Sequence, residues 1–72
     1  MKNMTELAER FTAIGKAWTE LLNACEAGDT ETATNCQDYI IGYLAGLMKD
    51  GILTYEDNKR LCEEIQEHIS DI

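Results

Sequence analysis

The sequence predicts an all-α fold, a small antiparallel three-helix bundle, on three observations. Apolar residues recur at helical spacing in three stretches. Gly28 and Gly51 follow the first two stretches, where helices commonly end. A residue that can cap a helix start precedes each stretch. We therefore expect one helical domain of residues 1–72, with helices at about residues 3–27, 30–50 and 54–70.

The first predicted helix begins at Asn3, a capping residue with Glu6 at capping-box spacing. Gly15 lies off its apolar stripe and allows a close approach by another part of the chain. The stripe follows a heptad pattern, which can pack inside one chain or against a second copy. Its members are Met4, Leu7, Phe11, Ile14, Trp18, Leu21 and Cys25.

The second predicted helix contains the least polar segment, the ten uncharged residues 39–48. We therefore expect it to be the central helix, with little of its surface facing water. Gly42 and Gly46 lie four residues apart, and with Ala45 they form a strip against which a neighbouring backbone can pack closely. A glycine inside a helix costs roughly 1 kcal/mol relative to alanine, so this strip predicts close packing. The short connection at Gly28, with Asp29 or Thr30 as the next cap, predicts that helices one and two form an antiparallel hairpin.

The third predicted helix begins at Thr54, with Asp57 three residues later in a capping-box pattern. Its predicted buried stripe contains Leu61, Ile65, Ile69 and Ile72, with Tyr55 and Cys62 beside it. The remaining faces are mainly acidic. A two-helix hairpin that dimerises, with helix three reaching across to the second copy, is the structural alternative.

Part of the chain carries a recognisable order of residues: a leucine pair, a glycine, an aliphatic-threonine step, an acidic pair and a lysine before the next leucine. The elements in this order are Leu44 and Leu47, Gly51, Leu53-Thr54, Glu56-Asp57 and Lys59. The segment Leu44 to Leu61 resembles the helical hairpin called SHOCT. Asn58 stands where an aromatic residue usually follows the acids. The resemblance covers a quarter of the chain and implies an interaction module.

The charge balance excludes several partners. Fourteen acids against six bases give a net charge of -8 and an isoelectric point near 4.3. Such a surface repels phosphate backbones and anionic lipids, so we predict no direct binding to nucleic acid or membrane. The net charge is -1 over residues 1–28, -3 over 29–51 and -4 over 52–72. The acidic surface is therefore mainly C-terminal.

The three cysteines are an odd number at irregular separations, and the first residues do not have the pattern of a signal peptide. These features predict a cytoplasmic protein. We predict no enzyme, because His68 and Ser70 are the only residues of their kinds and Cys62 projects from a different helix face than His68. We also predict no cofactor and no metal. Glu64, Glu67 and His68 approach a bundle metal motif, but that motif uses Glu-x-x-His pairs, and Ile65 stands where the glutamate of the pair with His68 would be.

The acidic excess has two interpretations: a solvated surface that maintains solubility, or a surface that binds a partner. On the second, the chain is a non-enzymatic module that engages a basic, nucleic-acid-binding site on a larger protein as an inhibitor or decoy. The expected partner-binding residues are Glu56, Glu63, Glu64, Glu67 and Asp71, with the aromatics Tyr39 and Tyr55. In size, acidity and lack of catalytic residues the chain resembles small anti-defence proteins of phages and mobile elements, including anti-CRISPR proteins, without a shared motif.

Two other functions remain open on the sequence. The first is a structural or regulatory homo-oligomer, a homodimer in its simplest form. It would assemble through the helix-one heptad seam or through Gly42 and Gly46. The second is a small metal-dependent enzyme or metal carrier.

Overall fold

The fold is that of a computed structural model, which describes residues 3–72. It is all-α and contains four helices in that range: α1 (Met4–Arg10), α2 (Thr12–Ala27), α3 (Thr30–Lys49) and α4 (Tyr55–Ser70). The prediction of an all-α fold is confirmed, but the three-helix architecture is not, because predicted helix one is divided in two. Residues 1 and 2 of the predicted domain lie outside the described residues.

The predicted first helix is wrong at Phe11. This residue has extended backbone angles, φ -121° and ψ 109°, and separates α1 from α2. An uninterrupted helix over residues 3–27 would be about 37 Å long, whereas the Cα atoms of the described chain span 34 Å in their longest direction. The break turns α1 back onto α2 and α4, so that Met4 and Leu7 are fully buried.

Gly15 makes this corner between α1 and α2 possible. A Cβ placed on Gly15 would lie 2.7 Å from the carbonyl oxygen of Ala8, which is closer than real Cβ contacts come. The close approach expected at Gly15 is therefore present, and the approaching group is the backbone of α1. At the other end of α1, the Glu6 N–H donates to Asn3 Oδ1 at 2.9 Å, as the predicted cap requires.

The α2–α3 connection has the predicted form. Gly28 adopts a left-handed conformation, φ 72°, and the Asp29 N–H donates back to the Ala24 carbonyl at 2.8 Å. Asp29 then caps α3, because its side chain accepts the Thr32 N–H at 3.1 Å and the Thr32 hydroxyl at 2.6 Å. The hydrogen bonds that stabilise this reversal of the chain all join residues close together in the sequence.

The α3–α4 connection also follows the prediction. Gly51 has φ 79°, and the Ile52 N–H donates to the Leu47 carbonyl at 2.9 Å. The predicted capping box at the start of α4 is complete: Thr54 Oγ1 accepts the Asp57 N–H at 3.0 Å, and Asp57 Oδ2 accepts the Thr54 N–H at 3.2 Å. This helix boundary is confirmed.

One core holds the four helices together. Phe11 and Cys25 are half-buried, and the other five residues of the heptad stripe are buried. The seam therefore packs inside the chain, and in this fold little of it is accessible to a second copy. The core cluster contains Met4, Leu7, Ile14, Trp18, Leu21, Cys36, Ile40, Leu44, Leu47, Leu53, Leu61 and Ile65.

Helix α4 packs on α3 of its own chain. The alternative in which this helix reaches across to a second copy is therefore not what the structure shows. Its buried stripe is shorter than predicted, because Leu61 and Ile65 are buried while Ile72 is 42% exposed and Tyr55 is 70% exposed. Tyr55 lies at the surface and does not contribute to the core.

Helix α3 is less enclosed than predicted. Ile40 and Leu44 are fully buried, but the opposite side of the helix faces solvent. A Cβ on Gly42 or Gly46 would meet nothing within 4 Å, so the predicted close packing at this strip does not occur within the chain. Within residues 3–72, α2 and α4 are the helices that pack on α3, and no element covers its outer side. Of the helices in the described part of the chain, none combines the length and hydrophobicity that crossing a membrane requires.

Candidate protein-interaction surface

The solvent face of α4 carries most of the predicted partner-binding acids. Leu61 and Ile65 anchor the opposite face in the core, which fixes the rotation of the helix. Glu56, Glu63 and Glu67 are exposed, and their spacings of seven and four residues place them along one line of the helix. The folded chain therefore brings these three carboxylates to the same surface.

The two halves of this face differ in charge. Glu63, Glu67 and Asp71, which we call the acidic end of α4, line one shallow surface together with Gln66 and Ser70. No lysine or arginine follows Arg60 in the sequence, and the bases nearest the acidic end are Lys59, one helical turn before Glu63, and His68 in the last turn.

The first half of α4 is mixed. Glu56 shares its surface with Lys59 and Arg60, which stand three and four residues after it and can interact with it across one helical turn. The acidic character of α4 is therefore concentrated in its last two turns.

Glu64 has a contact inside the chain. It is half-buried, and its Oε1 accepts the backbone N–H of Met4 at 2.8 Å. That N–H belongs to the first turn of α1, where backbone donors have no partner within the helix and the helix dipole favours a carboxylate. Glu64 therefore ties the start of α1 to α4, in addition to any role at the surface. Sequence reasoning missed this contact, because no local pattern relates two residues 60 positions apart.

The two predicted interface tyrosines lie in different grooves. Tyr55 borders the groove between α3 and α4, whose lining includes Ile41 and Glu63. Tyr39 is 52% exposed and borders the groove between α2 and α3, beside Lys16. The structure therefore places Tyr55 near the acids of α4 and Tyr39 apart from them.

The cysteines are free thiols. Burial raises the pKa of Cys36, and nearby Glu20 and Asp29 raise it further. Burial also raises the pKa of Cys62. Both thiols are therefore held in the protonated form at neutral pH, in which a cysteine is a poor nucleophile.

His68, the single histidine, packs edge-on against Trp18, with ring centroids 5.2 Å apart and an interplanar angle of 85°. Over residues 3–72, no three His, Cys, Asp or Glu side chains are grouped so that they could hold a metal ion.

The chain matches no protein-family model, no curated protein and no solved structure. The resemblances to the SHOCT hairpin and to anti-defence proteins therefore stay predictions.

Proposed function

We propose that this chain is a non-enzymatic protein-binding module whose acidic end of α4 engages a basic site on a larger protein. The observation that supports this proposal most directly is the row of Glu63, Glu67 and Asp71, exposed on one surface with no lysine or arginine after Arg60. A concentrated charge of one sign speeds and orients the encounter with a complementary surface.

Two of these carboxylates, Glu67 and Asp71, are placed unfavourably for the helix itself. The C-terminus of a helix carries a partial negative charge, so acids in the last turn are unfavourable by roughly 0.3–1 kcal/mol each. Glu67 and Asp71 lie in this region of α4. In the described part of the chain, the side chains of Glu63, Glu67 and Asp71 make no hydrogen bond or ion pair. Cations on a partner would offset the unfavourable placement.

The class of partner follows from the spacing. Four residues of helix cover about 6 Å, so the acidic end presents carboxylates at regular intervals along a line. A surface built to hold a phosphate backbone presents Lys and Arg in the same extended manner. We therefore propose that the partner is a nucleic-acid-binding protein and that this chain acts as an inhibitor or decoy at that site. Tyr55, at the other end of the face, supplies an exposed aromatic contact.

The test compares two tagged variants with the wild-type chain in a cytoplasmic lysate at low and high salt, with mass spectrometry of the captured proteins. The first variant is Glu63→Lys, Glu67→Lys and Asp71→Lys together. Lysine near the C-terminus of a helix interacts favourably with the helix dipole, so we expect this variant to retain the fold. Glu64 stays unchanged because it holds Met4.

The control variant reverses three exposed acids elsewhere, Glu9→Lys, Glu20→Lys and Glu26→Lys, and so has the same net charge. We expect the wild-type chain and the control to capture a nucleic-acid-binding protein at low salt and to lose it at high salt. The α4 variant should lose capture at least about tenfold, equivalent to about 1.4 kcal/mol. Equal capture by the α4 variant, or recovery of only the chain itself at both salts, would contradict the proposal.

A further inference from the structure

The outer face of α3 is a second exposed surface, on which charged and small residues follow one another along the helix. Asp38, Gly42, Ala45 and Lys49 are all exposed, and their spacings of four, three and four residues place them on one line along the helix. Gly42 and Gly46 leave open space above the helix backbone. The line is therefore neutral and flat in its middle, with an acid at one end and a base at the other.

Two exposed apolar side chains flank this line. Tyr39 is 52% exposed on the side toward α2, and Ile41 is 37% exposed on the side toward α4. We call the whole surface the α3 outer face. It consists of Asp38, Tyr39, Ile41, Gly42, Ala45, Gly46 and Lys49.

The order of residues along the α3 outer face is complementary to itself. A two-fold axis that lies between two α3 helices, perpendicular to them and level with the midpoint between Tyr43 and Leu44, places Asp38 of one copy opposite Lys49 of the second and Gly42 opposite Ala45. Two copies related by that axis run antiparallel, and each Asp38 faces Lys49 of the second copy. The two ion pairs are then about 16 Å apart along the helix. A surface that matches itself in this way is what a two-fold dimer requires.

We propose that the α3 outer face binds a second copy of this chain, with the two α3 helices antiparallel and in contact at Gly42 and Ala45. The missing side chains of Gly42 and Gly46 let the helix backbones approach closely. Tyr39 then lies over Gly46 of the second copy, and Ile41 lies beside Ala45 of the second copy. This surface is distinct from the acidic end of α4, so the proposal stands apart from the proposed function.

Charge favours a second copy as the occupant. The chain carries a net charge of -8, so most pairs of its surfaces repel each other. The α3 outer face is an exception, because its one acid and one base balance. Neither Asp38 nor Lys49 makes a side-chain hydrogen bond or ion pair with any residue in 3–72, so both are available.

The glycines give a second reason. Gly42 and Gly46 weaken a helix interior relative to alanine, and no packing within the chain requires them. A close contact with another helix does require small residues. A single pair of helices offers less contact than a standard interface, so we expect association at concentrations on the order of 100 µM.

The experiment is sedimentation equilibrium of the full chain from about 10 µM to about 1 mM, which covers the expected range. We expect Asp38→Lys and Lys49→Asp, each alone, to place like charges opposite each other at both ends and to weaken association about tenfold or more. An equimolar mixture of the two variants pairs opposite charges again, so it should form a heterodimer more readily than either variant forms a homodimer.

A third variant, Gly42→Gln, adds bulk to the contact while retaining the fold, as circular dichroism would show, and should abolish association. The α4 variant described above should dimerise as the wild-type chain does. The proposal is overturned by a wild-type chain that stays monomeric to about 1 mM, well above the expected range. It is also overturned if Gly42→Gln associates normally, or if the mixture associates no better than its two components.

Discussion

The chain changes direction at the corner between α1 and α2 and at two later turns, α2–α3 and α3–α4. Different interactions stabilise the corner and the two turns. At the corner, Phe11 provides no side-chain hydrogen bond to the start of α2. The corner depends on the absence of a side chain at Gly15 and on the distant carboxylate of Glu64. At the later turns, Asp29 and Thr54 accept hydrogen bonds from residues three positions ahead.

The later turns are therefore stabilised by local interactions, and the corner by tertiary ones. The later turns are local, so each can form as soon as its own residues are present. The corner is tertiary, because α1 has seven residues and is too short to be stable alone in water. Substitutions at the corner should therefore change the free energy of unfolding more than substitutions at the turns.

The largest effect is expected for Gly15→Ala. The added methyl group would meet the Ala8 carbonyl oxygen at 2.7 Å, and a backbone atom cannot move aside cheaply. We expect the free energy of unfolding to fall by about 1–3 kcal/mol, the range for overpacking a well-packed site. Urea denaturation followed by circular dichroism at micromolar concentration measures it.

The matched control is the same substitution at Gly42, where the methyl group meets open space. There we expect a gain of up to about 1 kcal/mol from improved helix propensity. Opposite signs at the two glycines would support the comparison. A gain at both positions would show that the corner does not depend on the close contact.

An intermediate effect is expected for Glu64→Ala. The substitution removes the acceptor of the Met4 N–H, and a hydrogen bond to a charged group contributes about 1.5–3 kcal/mol. Because Glu64 is half-buried and water can replace part of the bond, we expect a loss of about 1–2 kcal/mol. Hydrogen exchange should show faster exchange confined to the amides of α1. The neighbouring Glu63→Ala is the control and should stay within about 0.5 kcal/mol of the wild-type chain. Unchanged exchange in α1 would contradict the contact.

The smallest effect concerns the later turns and acid pH. Hydrogen bonds from the Thr32 hydroxyl and N–H lower the pKa of Asp29 below its ordinary 3.8, and bonds from Thr54 lower the pKa of Asp57 in the same way. Because the folded pKa is the lower one, this stabilisation is present above the unfolded pKa. It is lost as the pH falls through the folded value. The contribution of these groups to stability should therefore be constant near pH 7 and decrease below about pH 4.

The check is acid denaturation of the wild-type chain beside Asp29→Asn and Asp57→Asn. Asparagine still caps a helix but does not titrate, so each variant should lose less stability than the wild-type chain between neutral and acid pH. Identical acid slopes for all three proteins would show that the caps do not titrate as described.

Local chemistry explains which parts of the fold were predictable. Gly28, Gly51, Asp29 and Thr54 act on residues within a few positions, so the sequence contains their whole signal. The break at Phe11 has no such signal. The apolar heptad continues through Phe11 without interruption. The need for a break appears only when a straight helix, about 37 Å long, is compared with the 34 Å span of the folded chain, because its first turn with Met4 would then extend beyond the other helices.

The surface was predictable to a smaller extent. The exposure of Glu63, Glu67 and Asp71 follows from the amphipathic pattern of α4, whereas Tyr55, predicted beside the buried stripe, is exposed. The role of Glu64 does not, because its partner Met4 is distant in sequence. The open side of α3 was missed for a related reason: an apolar composition indicates that a helix is buried, but the number of neighbouring helices decides how much of it is covered.

The bond between Glu64 and Met4 also sets an order of events during synthesis. Met4 emerges from the ribosome first, but its partner follows sixty residues later. The hairpin of α2 and α3 can form while the chain is still growing, because its contacts are close in sequence. The carboxylate that holds the first turn of α1 is added only after most of α4 has been made. Helix α1 is therefore synthesised well before the side chain that holds its first turn.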